Sequence, residues 1–252
     1  MHVPVNTPGR ERPMDKPKVS VIMPVYNGER FLEDAIHSVL GQAYRPIELI
    51  VVDDGSTDGT AEIARRFEEM RYLHQENAGP SVARNTAMGV AEGSMLAFLD
   101  SDDRWTPDKL TCQVGHMTQH PEHLFTIAKF RYFLEPNCPI PSSFKPELLE
   151  RELVGRIPST LVARREAFEK VGGFDPSLRT GEDVDWFARA KDLDVPMAVI
   201  PKVLLHKRVH DRNASSDAAA NTPLLMKVLQ QSIRRQKARQ EQARRGEEEH
   251  HG

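Results

Sequence analysis

Three carboxylates, Asp100, Asp102 and Asp103, fall within four positions directly after the apolar run Ala97-Phe98-Leu99. A buried strand that ends in like charges is costly unless a cation or a ligand's hydrogen-bond donors offset the repulsion. Asp100 and Asp102 leave such a strand end at different angles around one point. With phosphate oxygens and water, that pair suits a hard divalent ion, Mg2+ or Mn2+. In open α/β sheets ligands bind beyond the carboxyl ends of the strands, where this cluster lies if Met95 to Leu99 is a central strand.

Four further groups carry polar chemistry at the ends of apolar or helical segments. Pro24-Val25-Tyr26-Asn27-Gly28 puts an aromatic ring and an amide after a first strand; a packed tyrosine at a strand-turn-helix junction explains it equally well. Asp53 closes the run Ile47 to Val52, where a carboxylate can accept hydrogen bonds from a base or ribose. Gly55 to Gly59 reads as turn chemistry, with Asp58 as a helix cap. In Asn77 to Asn85, Arg84 stands one turn into a helix and can reach a phosphate or hold an acidic cluster by a charge-assisted pair. Glu182 and Asp183 stand at a helix start, where negative charge is tolerated; alone, they would read as capping.

The elements that must position these groups are legible from periodicity. Lys18 to Pro24, Ile47 to Val52, Arg71 to Gln75 and Met95 to Leu99 read as strands, with helices at Phe31 to Leu40, Thr60 to about Met70 and Pro80 to Val90 between them. This βαβαβαβ alternation predicts a parallel, Rossmann-like sheet with right-handed crossovers. Beyond Pro107 the alternation is lost. A helix is expected over Pro107 to His120, a strand over Phe125 to Leu134, and a proline-rich connection from Glu135 to Pro146. A strand near Ser159 to Ala163, a helix from Arg165, a turn at Gly172-Gly173, a helix over Glu182 to Lys191 and a strand over Met197 to Val203 follow. The expected division is a disordered segment 1–17, a domain over 18–216 with a nucleotide-binding half to about 106 and an acceptor half after it, and a basic helical or disordered tail over 217–252.

With 34 basic against 37 acidic residues the formal charge is −3, which gives no global reason to expect nucleic acid. Cys112 and Cys138 lack metal-ligand spacing and cannot form a disulfide framework, which suits a reducing, cytoplasmic compartment. No apolar run approaches the ~20 residues of a membrane helix. The helical pattern from Thr222 continues into Arg234, Arg235, Lys237, Arg239, Arg244 and Arg245. It reads as a solvated face or frayed tail, with docking on an anionic membrane or a partner as the minority reading.

Taken in order, these motifs resemble the family 2 glycosyltransferases, inverting enzymes of GT-A fold that use nucleotide-diphospho-sugars. Val19 to Leu40 is similar to the family's opening strand and helix, Val51 to Asp58 to its nucleotide-binding signature and Asn77 to Asn85 to its third motif. Asp100-Ser101-Asp102 matches the Asp-x-Asp motif and Glu182-Asp183 the Glu-Asp motif; the resemblance covers about Lys18 to Ser216. It implies that Pro24, Tyr26, Asn27 and Asp53 bind the nucleoside, with Asp53 facing the base, and that Arg84 supports the diphosphate side. It further implies that Asp100, with Ser101 beside it, contacts the ribose and metal shell, that Asp102 is the principal metal ligand, and that Asp183 is the general base, positioned by Glu182. Arg208 to Ser215 resembles a late loop whose His210 completes the metal or diphosphate site. Asp103 is expected to face solvent or cap the next segment. The donor implied is a nucleotide sugar, UDP-linked by preference, and the acceptor a glycan, lipid-linked or other hydroxyl chosen by loops that include Glu135 to Thr160. Two rivals are a nucleotidyltransferase, which the sequence after the first strand does not resemble, and a non-catalytic sugar-nucleotide-binding protein, against which both acidic motifs argue.

Overall fold

A computed structural model describes residues 16–136, 140, 141, 144–211, 226, 228–239 and 241. Four parallel strands open the fold: β1 (Val19–Val25), β2 (Ile47–Asp53), β3 (Met70–His74) and β4 (Met95–Phe98), in spatial order β3-β2-β1-β4. Helices α1 (Leu32–Leu40), α2 (Thr60–Ala64) and α3 (Pro80–Val90) connect them. Because all four strands run the same way, the residues that follow Val25, Asp53, His74 and Phe98 gather along one sheet edge.

Both faces of this sheet are covered, which is why its strands are almost continuously apolar. The alternation of side chains along β1 divides them. Val19, Val21, Met23 and Val25 pack with Leu32, Ala35, Ile36 and Val39 of α1, whereas Ile22 faces Ala83 and Ala87 of α3. Pro24 lies within β1 although a central strand ordinarily excludes proline. Val25 carbonyl accepts from Asp54 N–H on the β2 side and Ile22 carbonyl from Leu99 N–H on the β4 side, so the N–H that Pro24 lacks would point past the last β4 pair, Ile22 with Phe98. No ladder bond is lost.

The second half is mixed rather than parallel. It comprises β5 (Arg104–Trp105), α4 (Lys109–Gln119), β6 (Phe125–Leu134), β7 (Leu153–Val154), β8 (Val162–Arg164), α5 (Arg165–Val171), α6 (Glu182–Asp192) and β9 (Met197–Val209). The sheet continues β4-β8-β6-β9-β5, with β8 antiparallel to β4 and β6, β9 parallel to β6, and β7 on β6.

Several expected boundaries shift for local reasons. Helix α2 ends at Ala64 because Met70 is drawn into β3 opposite Leu49. Ser159 belongs not to a strand but to the 3-10 turn Pro158–Thr160, and its hydroxyl accepts from the backbone N–H of Asp100 at 3.0 Å. The two-residue strands β5 and β7 carry too few positions to show a period. Strand β9 runs six residues beyond Val203, so Arg208 and Val209 are strand, not loop.

Residues 228–239 are helical, and Ser232, Arg235 and Gln236 all bond Asp192 at the end of α6, at 2.7, 2.8 and 2.8 Å. Part of the basic tail is therefore held on the domain, by the buried Asp192 and by the pairs Arg235–Asp185 at 4.0 Å and Arg239–Asp194 at 3.0 Å. The segment before Lys16, Cys138, Arg212 to Ser215, Thr222, Arg244 and Arg245 lie outside the described residues. No helix among the described residues is long and apolar enough to cross a membrane.

Helix α6 is anchored by Trp186, fully buried among Phe125, Phe168, Phe174 and Phe187, with its indole N–H donating to the Gly172 carbonyl at 3.0 Å. Truncating a buried Trp costs about 3–5 kcal/mol. Trp186→Ala is expected to lower the urea unfolding free energy by that order, whereas a loss below about 1 kcal/mol would show that α6 does not depend on this packing.

Candidate active site

The loops after β1 and β2 are laced together by side-chain to backbone bonds. Asn27, at φ 50°, accepts Thr57 N–H on Oδ1 at 2.8 Å, and its own N–H donates to Ser56 Oγ at 2.9 Å. Gly28 N–H donates to Thr60 Oγ1 at 2.8 Å. Asp58 accepts Thr60 N–H at 3.0 Å and Glu29 N–H at 3.1 Å, which is the expected capping role extended across both loops. Gly55 has φ 80°, and a Cβ there would stand 2.9 Å from Asn77 N, so glycine is required at that turn. Tyr26 is left 54% exposed, its ring open to a planar partner.

Asp53 is fully buried and accepts Ser56 N–H at 2.8 Å and Tyr72 O–H at 2.6 Å. These bonds fix the carboxylate at the strand end while two oxygens retain acceptor capacity. Burial and then the Asp53 hydrogen bond push the Tyr72 phenol well above its ordinary range, which keeps it a donor. Asp54 has a different task. It accepts Gln75 Nε2 at 2.7 Å, Ala78 N–H at 2.9 Å and Gly79 N–H at 2.8 Å, and so fixes the turn that starts α3.

From α3, Arg84 points into the sheet edge. Its Nη1 donates to Glu182 Oε1 at 2.6 Å and its Nη2 to Asp100 Oδ1 at 2.7 Å, with the guanidinium over the Phe174 ring at 5.5 Å. Of the two roles expected for Arg84, the structure contains the charge-assisted pairing, and it joins both acidic clusters at once. Glu182 is thereby engaged by Arg84. Burial alone would raise the Asp100 carboxyl, but Arg84 and Lys207 hold it below the usual range. Asp183, the next residue of α6, is half-buried and accepts Val184 N–H at 2.7 Å. Burial, and then the charge of Glu182, push its carboxyl up to about 6.

Strand β9 carries Lys207 and Arg208, and His210 just past its end, to the acids that follow β4. His210 Nε2 lies 3.0 Å from Asp102 Oδ2, so two of the three expected metal ligands meet. Asp100 and Asp102 offer hard oxygen donors suited to Mg2+ or Mn2+, and the imidazole adds a nitrogen that a transition ion accepts better than Mg2+. The residues present therefore fit a divalent ion. Ser101 sits beside the first loop: a Cβ on Gly28 would stand 3.5 Å from Ser101 Oγ.

Asp103 departs from expectation. It is fully buried, not solvent-facing, and accepts Arg208 N–H at 2.9 Å and Lys207 Nζ at 3.3 Å. Burial pushes its carboxyl up to about 7, opposed by Lys207 and assisted by Asp102 and Asp100. Arg208, also buried, donates to the Asp102 carbonyl at 2.8 Å and bonds Asp34 and Glu135, with its guanidinium 4.5 Å from the Phe31 ring and 4.7 Å from that of Phe133. Lys207, Arg208, Tyr72 and Ser159 were not singled out by sequence. The adjacent cations Lys207 and Arg208, directly before Val209 and His210, are the signal the sequence offers.

Removing one partner from a buried ion pair costs about 3–5 kcal/mol because the remaining charge is uncompensated. Arg84→Met is expected to destabilise the fold by that order in urea unfolding, and Arg84→Lys by less, since a single ammonium keeps the charge but not the fork that spans two acids. Equal and small losses for both variants would deny Arg84 its bridging role.

Comparison with known proteins comes to one family. The model for glycosyl transferase family 2 matches residues 20–172. TuaG of Bacillus subtilis (strain 168), a glycosyltransferase assigned to teichuronic acid biosynthesis, is 35% identical over 189 residues, covering 70% of this chain and 73% of TuaG. The uncharacterized glycosyltransferase RT0329 of Rickettsia typhi is 32% identical over 220 residues, covering 80% of this chain and 67% of that protein. Among solved structures, S. aureus TarS 1-349 in complex with UDP-GlcNAc superposes with a TM-score of 0.71 at 23% identity, over 86% of this chain and 66% of that one. The mannosyltransferase PcManGT of Pyrobaculum calidifontis, in complex with GDP-Man and Mn2+, gives 0.61 at 23% identity, over 80% of this chain and 59% of that one. The chain thus spans about two thirds or less of these solved chains, and their shared architecture is the GT-A fold expected above. The match over most of the ordered motifs, with relatives above 30% identity, establishes that the chain belongs to glycosyl transferase family 2.

Proposed function

We propose that the chain transfers a sugar from a nucleotide-diphospho-sugar, with a UDP-sugar favoured, to an acceptor hydroxyl in one inverting displacement. The observation that carries this reading is the Arg84 fork, which joins the donor-side carboxylate Asp100 to Glu182, the neighbour of the candidate base Asp183. TarS has been solved with UDP at 25% identity and a TM-score of 0.63, and with UDP-GlcNAc; PcManGT has been solved with GDP-Man and Mn2+. These support a nucleotide-sugar donor and a divalent ion here.

In this reading Asp53 accepts a hydrogen bond from the base and the exposed Tyr26 ring lies against it, while Asn27 and Pro24 shape the floor of that subsite. Asp100 faces the ribose, and Asp102 and His210, with Asp100 beside them, would hold the divalent ion, which when bound would supply positive charge to the departing diphosphate. Asp183 accepts the proton of the attacking hydroxyl. A base with a raised pKa is matched to that task, because proton transfer is most effective when the base titrates near the working pH. Glu182, tied to Arg84, fixes the first turn of α6 so that Asp183 keeps its position. The two acids thus divide between structure and proton transfer. Two cysteines with no disulfide framework support a reducing, cytoplasmic setting for this reaction.

General-base catalysis contributes about 10²–10⁴ in rate. Asp183→Asn is expected to lower kcat for sugar transfer by that order while leaving UDP-sugar affinity within a few-fold; unchanged kcat would remove Asp183 as the base, and donor binding without turnover in the unaltered chain would favour the non-catalytic reading. In the unaltered enzyme kcat/KM should fall about tenfold per pH unit below about 6, where Asp183 becomes protonated, and level off above it. A profile flat from pH 5 to 8, where a carboxyl titrating near 6 must show, contradicts this assignment.

The metal assignment is tested separately. UDP with Mn2+ is expected to raise the melting temperature of the unaltered chain by mass action, and Asp102→Ala should abolish the Mn2+-dependent part of that shift. A shift retained in Asp102→Ala would place the ion elsewhere.

A further inference from the structure

At the sheet edge away from the acidic clusters, the end of α4 and the turn into β6 bring three imidazoles and a carboxylate together. His116 and His120 stand one helical turn apart, and His120 N–H donates to the His116 carbonyl at 2.9 Å. Pro121 then turns the chain, and His123 N–H donates to the His120 carbonyl at 3.1 Å, returning His123 beneath the helix end. The ring centroids of His116, His120 and His123 lie 4.5, 5.2 and 5.6 Å apart. The location is remote from the donor site. His123 precedes Phe125, which is paired through Ala163 with Leu96 near the start of β4, whereas Asp100 follows its end.

We propose that His120, Glu122 and His123, with His116 beside them, form a second metal site, for a borderline divalent transition ion such as Zn2+. One ligand atom from each of His120, Glu122 and His123 lies within 4.8 Å of the others. One contact already has the spacing of a shared ion. Ligands at about 2.0–2.1 Å around tetrahedral Zn2+ stand about 3.3–3.4 Å from each other, and His120 Nδ1 lies 3.3 Å from Glu122 Oε1. His116 Nε2 lies 3.2 Å from His123 Nδ1, at hydrogen-bond distance.

Imidazole ligates a metal through the lone pair of a neutral ring nitrogen. When His123 Nδ1–H donates to His116 Nε2, its Nε2 lone pair is free for the ion, the orienting hydrogen bond that metal-bound histidines ordinarily have. The C-terminal end of α4 adds a favourable field for a cation. His120 and Glu122 are exposed, which leaves an entry path and room for a water as a further ligand. Imidazole nitrogens with one carboxylate select Zn2+ and its neighbours in the series rather than the Mg2+ or Mn2+ proposed for the carboxylate-rich donor site.

The test uses the full, metal-stripped chain with His250→Ala and His251→Ala, because two histidines beside Glu247 to Glu249 in the tail could bind the same ions. With excess Mg2+ present to occupy the donor site, Zn2+ is titrated against a chromophoric chelator, and Co2+ is used to read the ligand field by visible absorption. One Zn2+ per chain is expected, bound at least ~10-fold more weakly in Glu122→Gln and not detectably in His120→Ala/His123→Ala, with the intense Co2+ bands of a four-coordinate site lost in parallel. UDP binding should be unaltered in both variants, which separates this site from the nucleotide site. Absence of Zn2+ binding, or equal affinity in the variants, would overturn the proposal and leave the cluster as a stack of hydrogen-bonded imidazoles.

Discussion

One buried guanidinium ties the two halves of this molecule together. Arg84 extends from α3, in the regular parallel half, and spends both of its Nη groups on carboxylates that come from different places: Asp100 after β4 and Glu182 at the start of α6. A buried arginine is tolerated only with such partners, and a buried carboxylate likewise, so the three groups require one another. The fork geometry matters because two acids some 80 positions apart must be met by one planar cation, a task an ammonium cannot reproduce. Phe174 beneath the guanidinium, and Trp186 with its ring 6.4 Å from that of Phe174, anchor the same junction in the apolar core.

The remaining acids are ordered around this junction by a second set of cations. Strand β9 brings Lys207 to Asp103 and Asp100, Arg208 to the backbone of Asp102, and His210 to its side chain. The cluster after β4 is therefore not three equivalent carboxylates. Asp103 is buried under Lys207 and Arg208, Asp100 is divided between Arg84 and Lys207, and Asp102 is the one whose side chain meets the imidazole. Like charges that would repel at a strand end become a graded site, from a structural acid to candidate ligands. Family membership and the GT-A fold give this grading its functional sense, since the fold places ligands at this edge.

Much of the first half could be read from the sequence because its signals are local. Nearly continuous apolar runs, in strands of four to seven residues between helical patterns, define β1, β2 and β4, and the acids that follow them mark the site. The second half was less legible for a physical reason: its strands are short or pair antiparallel across long separations, as β8 does with β4 and β6, and no periodicity announces such partners. The same limit applied to the site. Asp100, Asp102 and His210 are visible as chemistry-bearing types, but the burial of Asp103 is decided by β9, which the sequence reading ends at Val203 and the structure continues to Val209. Arg84 was recognisable as a charged residue near a helix start; that it bridges two motifs follows only from the three-dimensional contact.

The relation between the two acidic clusters is most directly tested by a crystal structure of the chain with Mn2+ and a non-hydrolysable UDP-sugar. The arrangement predicts the ion at Asp102 with His210 adjacent, the base beside Asp53, and the Asp183 carboxylate on the face of the anomeric carbon opposite the diphosphate, with the Arg84 bonds to Asp100 and Glu182 intact. A nucleotide bound away from Asp53, or Asp183 on the same face as the diphosphate, would contradict it.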